Sequence, residues 1–112
     1  MRDPRSAYKN GEVWLAFVDG KVAGFAYCKP LKREPVATLH DLGTLPEFRG
    51  RGVASELMKV ASLGRPVRLV VDPENEAAVL YYLKRGLQLD FPEPVPTRSG
   101  KSMVWRMSGR LA

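Results

Sequence analysis

Hydrophobic positions in the first half of the chain fall into short runs separated by turn residues. Residues 13–18, "VWLAFV", are apolar and rich in β-branched and aromatic side chains, the composition of a strand. Asp19-Gly20 follows, a dipeptide that supplies the positive φ angles of a two-residue hairpin turn. Residues 21–30, "KVAGFAYCKP", read as the returning strand, stopped by Pro30. Lys32-Arg33-Glu34-Pro35 reads as a turn and residues 36–45 as a third strand, so the opening half is an antiparallel meander. About a dozen residues precede its first predicted strand.

The period then changes. Val53, Leu57, Val60 and Ala61 stand at i, i+4, i+7 and i+8, one face of a helix that ends near Gly64. Residues 67–72 form a nearly continuous apolar run, the pattern of a strand buried on both faces. A second helix is predicted over 76–85, with signals at both ends. Asn75 is the N-cap, Glu76 lies in the first turn, Lys84 and Arg85 in the last, and Gly86 follows as the left-handed C′ residue. Residues 87–91 and 102–107 are the final strands. Between them "PEPVPTRSGK" is a proline-rich loop that cannot donate fully to a sheet. The order is β-β-β-α-β-α-β-β, an α/β (α+β) chain. With no internal repeat and no linker, residues 1–112 are expected to form one domain.

Composition narrows the setting. The longest apolar runs are far too short to cross a bilayer, and no apolar stretch backs the charges of the first five residues, so neither a membrane span nor a secretory signal is expected. A single cysteine, Cys28, excludes an intrachain disulfide and a cysteine-rich zinc site. These features point to the cytoplasm and to no metal. Lys and Arg total 18 against 12 Asp and Glu, a net charge of +6 that favours a polyanionic partner such as nucleic acid, an anionic membrane or a phosphate-rich cofactor. The basic residues are spread along the chain, with modest concentrations at 29–33, 49–51, 84–85 and 98–110, and not gathered into the stripe typical of a nucleic-acid binder.

The phosphate option has a local candidate. "PEFRGRGVA", residues 46–54, joins the third strand to the first helix. A Walker A loop is absent, because no GxxxxGK precedes a Ser or Thr. A dinucleotide fingerprint could be read as Gly50-x-Gly52-x-x-Ser55, with Asp72 ending the next strand as the ribose acid. Against it, Ser55 stands at the third glycine, an antiparallel hairpin precedes the motif, and only one further β-α unit follows. A simpler chemistry suffices. Gly50 and Gly52 expose backbone N–H groups, the helix start adds its partial positive charge, and Arg49 and Arg51 add cationic donors for a pyrophosphate. The plain alternative is a basic turn that starts a helix and binds nothing.

A second constellation bears on the choice. Asn75, Ala78, Tyr82 and Gly86 are spaced along the second helix, and at about 100° per residue Tyr82 returns to within about 20° of Asn75 around its axis. An N-cap role accounts for Asn75 equally well, and a core role for Tyr82. Taken together, Arg49-x-x-Gly52-x-Ala54 and Asn75-x-x-Ala78-x-x-x-Tyr82-x-x-x-Gly86 resemble the two signature segments of the GCN5-related N-acetyltransferase (GNAT) superfamily, and "LGTLPEF" resembles its strand-to-loop approach.

The resemblance runs from about Val13 to Met107. It implies a mixed, mostly antiparallel central sheet with two main helices, splayed so that CoA lies between the third and fourth predicted strands. It also implies direct transfer of an acetyl group from acetyl-CoA to an amine, on a small molecule or a protein. Arg49, Gly50, Arg51, Gly52, Val53 and Ala54 would hold the pyrophosphate. Backbone groups of Leu42, Thr44 and Leu45 would pair with pantetheine, one N–H facing the thioester oxygen, while Asn75 and Ala78 flank the arm. Tyr82 would protonate the departing thiolate. A general base is also required, because an alkylamine is mostly protonated at neutral pH. His40, the only histidine, has a suitable ordinary pKa and stands beside Asp41. Strand alternation sends the two to opposite faces unless a bulge intervenes. The family usually begins with a further strand and two helices that wall the acceptor cleft, and this chain looks like a short member without them. A homodimer or a bulky acceptor would then complete the wall. The alternatives are a non-catalytic acyl-CoA binder and a basic nucleic-acid-binding module.

Overall fold

The computed structural model describes the backbone of residues 5–8, 11–29 and 35–112, and the side chains of 13–29 and 35–112. Most of the turn expected at 32–35 lies outside the described residues. The chain forms two compact units, Met1–Arg65 and Pro66–Ala112.

In the first unit, β1 (Arg5–Tyr8), β2 (Gly11–Val18), β3 (Lys21–Lys29) and β4 (Ala37–Thr44) pair in chain order, each antiparallel to the next. Asp19 and Gly20, at φ 51° and 78°, make the tight turn between β2 and β3. β1 is an addition to the predicted order. Its four residues, "RSAY", carry no run of apolar positions, so the hydrophobic pattern is silent there, and the strand is defined by its backbone ladder to β2.

One face of this sheet carries the core. Trp14 and Ala26 are cross-strand partners on it, as are Cys28 and Leu39, and all four are buried. Helix α1 (Val53–Ser62) covers this face with Val53, Leu57, Met58 and Ala61, all buried. Burying Leu57 or Met58 contributes about 1.5–3 kcal/mol each, the scale for an aliphatic side chain taken from water. Gly24 admits the helix. A Cβ there would stand 2.6 Å from the Gly43 carbonyl, 3.1 Å from Val53 Cγ1 and 3.3 Å from Leu57 Cδ1. On the opposite face Val13 pairs with Tyr27 and Leu15 with Phe25, and none of the four is fully buried.

The second unit is built around β8 (Met103–Gly109), which pairs antiparallel with β5 (Val67–Val71), β6 (Gln88–Leu89) and β7 (Val95–Pro96). β5 corrects the expectation of a strand buried on both faces. Val67, Leu69 and Val71 are buried, whereas Arg68 and Val70 are exposed, Val70 opposite the exposed Arg106. The apolar run looked continuous only because a valine occupies an outward position. The strand expected over 87–91 keeps only β6. The proline-rich loop holds the two-residue β7, short enough for Pro96 to join opposite Met103 without a central N–H.

Helix α2 (Glu76–Lys84) buries no residue, so its ends matter. Asn75 Oδ1 accepts the Ala78 N–H at 3.1 Å, the predicted N-cap. At the other end Gly86 N–H donates to the Leu83 carbonyl at 3.1 Å and Leu87 N–H to the Tyr82 carbonyl at 3.1 Å, a Schellman motif that seats the buried Leu87. Gly86 has φ 101°, and a Cβ there would lie 2.7 Å from the Arg110 carbonyl. Both the torsion and the close approach of the chain end require glycine.

Candidate functional site

The loop between β4 and α1 is a short 3-10 turn, Pro46–Phe48, followed by Arg49, Gly50, Arg51 and Gly52. Phe48 is buried and anchors the turn, and the Arg51 guanidinium lies 5.5 Å from its ring centroid. Gly50 and Gly52 have φ 78° and 79°, and Gly52 is the N-cap of α1. A Cβ at either would meet nothing within 4 Å, so the left-handed torsion, and not crowding by the protein, selects glycine. Arg49 and Arg51 are exposed. Val53 is buried against Gly24, so only its backbone can serve a ligand; Ala54 is half-buried. The first N–H groups of a helix have no partner within it. The loop therefore gathers cationic side chains and helix-start donors on a solvent-facing surface, which is the chemistry a pyrophosphate needs.

The preceding strand carries the next group of candidates. Across β3–β4, Tyr27 faces Asp41 while Cys28 faces Leu39, so His40 is an extra residue, a β-bulge. The bulge resets the alternation. Leu39 stays on the buried face, and His40 and Asp41 both emerge exposed on the other, with the His40 ring 5.6 Å from that of Tyr27. Partial burial, and secondarily the charge of Lys29, hold the His40 pKa below its ordinary value of 6.5 and favour the neutral imidazole.

Backbone directions separate Leu42, Thr44 and Leu45. Leu45 N–H donates to the Ala23 carbonyl at 2.8 Å, which fixes the odd-numbered residues as those bonding toward β3. The N–H and C=O groups of Leu42 and Thr44 consequently point away from β3. The Leu42 N–H is accepted by Asp41 Oδ1 at 3.0 Å. Leu45 is engaged within the protein at both ends, since its carbonyl accepts the Phe48 N–H at 2.9 Å. Of the three, Leu42 and Thr44 direct their backbone away from β3 and Leu45 does not.

In the second unit, Asn75 caps α2, and Ala78 and Tyr82 lie on it, as predicted. Asn75 spends its side-chain oxygen on the cap and keeps its amide group as a donor. Tyr81 and Tyr82 are half-buried with rings 5.5 Å apart at 80°, and the Arg85 guanidinium lies 4.6 Å from the Tyr81 centroid. Asp72, the ribose acid of the dinucleotide alternative, uses its carboxylate locally to accept the Glu74 N–H at 2.9 Å. It builds the turn into α2.

Sequence reasoning passed over Phe25, Tyr27 and Gly43. A Cβ on Gly43 would lie 2.4 Å from Phe25 Cε1, so the aromatic ring rests directly on the β4 backbone beside Leu42 and Thr44. Only the full cross-strand register reveals this, although "LGTL" places a glycine in mid-strand, a sign of close approach.

The chain is similar to known proteins in sequence and in fold. An uncharacterized N-acetyltransferase of Archaeoglobus fulgidus is 39% identical over 54 residues, 44% of this chain and 37% of that protein. An uncharacterized N-acetyltransferase of Methanocaldococcus jannaschii is 33% identical over 82 residues, 63% of this chain and 36% of that protein. The aligned stretches thus span little more than a third of these relatives. The PaiA N-acetyltransferase of Thermoplasma acidophilum, solved in complex with coenzyme A, shares the fold with a TM-score of 0.68 at 22% identity, covering 88% of this chain and 59% of that one. The sequence model of the acetyltransferase (GNAT) family matches residues 1–87, through the basic loop and the whole of α2, and the chain belongs to that family.

Proposed function

We propose that the chain is an acetyl-CoA-dependent N-acetyltransferase that passes the acetyl group directly to an amine. The observation that carries this reading is the β4–α1 loop, where two left-handed glycines and two exposed arginines meet a helix start. The coenzyme A bound to the structurally similar PaiA protein supports it. Because the family match runs across the boundary between the two units, we read them as one acyl-CoA-binding domain. A single cysteine, which leaves no intrachain disulfide, favours a cytoplasmic setting.

In this reading Arg49, Arg51 and the N–H groups at 50–54 hold the pyrophosphate. The Leu42 carbonyl and the backbone groups of Thr44 pair with the pantetheine arm, and the Thr44 N–H is the donor for the thioester oxygen as charge develops there. Asn75 meets the arm through its amide group. Tyr82 gives its phenolic proton to the leaving thiolate, and neutral His40 takes the proton of the attacking amine.

Titration calorimetry with acetyl-CoA tests the proposal. Saturable binding is expected, weakened about tenfold or more by Arg49→Ala with Arg51→Ala, on the scale of losing charge-assisted bonds. Absence of any heat or thermal shift with acetyl-CoA overturns the reading.

A further inference from the structure

We infer that the acceptor is a monoamine carrying an aromatic or aliphatic group close to its nitrogen, held on the open face of β2, β3 and β4. This deepens the acetyltransferase reading and rests on it.

The face is defined by register. Val13 with Tyr27, Leu15 with Phe25, and Tyr27 with Asp41 are cross-strand partners, and partners share a face. Helix α1, the one α-helix of this unit among the described residues, lies on the other face, against Gly24. Phe25 is 37% exposed although its ring presses on Gly43, a large apolar surface left to solvent beside the backbone of Leu42 and Thr44. The bulge adds polar chemistry at one end of this apolar shelf. It brings out His40, a proton acceptor, and Asp41, a carboxylate able to attract an ammonium ion.

The charge on the face selects between kinds of amine. Asp41 is its single carboxylate among the described side chains, and Lys29 stands on the same face opposite Thr38. One ammonium is matched there. A second or third would meet Lys29 and a chain whose net charge is +6. An apolar group beside the amine would instead cover Phe25, Leu15 and Val13 and gain their burial. A polyamine is therefore disfavoured, and a monoamine with an apolar flank fits. The shared chemistry is met equally by a free arylalkylamine and by a peptide with an aromatic first residue.

The transfer balances. The amine nitrogen bonds to the acetyl carbon as the carbon–sulfur bond of the thioester breaks. An ammonium acceptor and acetyl-CoA yield the amide, CoA thiol and one proton, which His40 takes up and returns to solvent.

The test compares kcat/KM for 2-phenylethylamine, ethylamine, spermidine, and the peptides Phe-Gly-Gly and Gly-Gly-Gly, after calorimetry has established acetyl-CoA binding. Amine binding is read separately from line broadening of the 2-phenylethylamine ring protons. The expected result is a preference of about tenfold or more for 2-phenylethylamine over ethylamine, the scale of apolar discrimination, with spermidine poorest. Phe25→Ala should collapse that ratio, and Phe25→Leu, which keeps an apolar side chain over Gly43, should reduce it part of the way. The peptide pair shows whether the source is a polypeptide. Spermidine equal to or better than 2-phenylethylamine, or a ratio unmoved by both variants, overturns the inference. So does acetyl-CoA binding with no binding or turnover of the aromatic amine. Failure of acetyl-CoA to bind, with ring broadening that disappears in Phe25→Ala, sinks the acetyltransferase reading and leaves the amine face standing.

Discussion

Gly52→Ala separates two reasons for a glycine at the start of α1. At φ 79° an alanine pays the left-handed penalty of about 1–2 kcal/mol. A Cβ there meets nothing within 4 Å, so no steric term adds to it. The expected loss of about 1–2 kcal/mol corresponds to about 4–8 °C in Tm per kcal/mol for a domain near this size. Gly52→Asn should recover much of that loss, because asparagine tolerates the left-handed region better than alanine. Ligand affinity should behave differently. If the loop cradles a pyrophosphate through its backbone, either side chain intrudes on the approach, and acetyl-CoA binding should fall in both variants, whatever their stability. The assay is thermal unfolding with and without acetyl-CoA, beside calorimetry at 25 °C. A loss well above 2 kcal/mol would refute the torsional account. Unchanged acetyl-CoA affinity in both variants would refute the cradle.

Asn75→Ala should cost about 1 kcal/mol, since it orphans the Ala78 N–H. Asn75→Asp keeps the cap and loses the amide donor, so reduced acetyl-CoA affinity at near-normal stability would mark a ligand contact, measured by calorimetry and melting together. Tyr82→Phe should lower kcat about 100-fold or more with acetyl-CoA affinity retained, the scale of a general acid; unchanged turnover would remove Tyr82 from the chemistry. The acidic limb of the kcat/KM profile should lie below pH 6.5, because the base works in its neutral form and the His40 pKa is lowered, so activity falls only as pH drops through that lowered value. Lys29→Gln should move the limb toward 6.5 without reaching it, since partial burial remains. His40→Gln should abolish it.

Much of the fold was legible because its signals are local. The Asp19-Gly20 turn, the helical period of Val53, Leu57 and Ala61, and the Asn75 and Gly86 ends of α2 each depend on a few neighbouring residues. β1 and β7 depend on pairing with distant segments, and short stretches such as "RSAY" and Val95-Pro96 announce no such pairing. The candidate loop was readable for the same local reason, and the left-handed torsions of Gly50 and Gly52 are what the structure adds. The open face was not. Phe25 resting on Gly43, and His40 and Asp41 emerging together, follow from cross-strand register, which single-chain periodicity does not contain.

The extra residue at His40 is independent of the backbone edge beyond it. In a strand, the face a side chain takes and the edge its N–H and C=O address both alternate with period two. The inserted residue is absorbed at one step: Leu39 faces Cys28, Asp41 faces Tyr27, and everything downstream keeps the phase of a regular ladder with β3. Deleting His40 would therefore leave Gly43 under Phe25 and the backbone of Leu42 and Thr44 directed away from β3. The imidazole and the backbone edge are thus separable: a single-residue deletion removes the first and keeps the second.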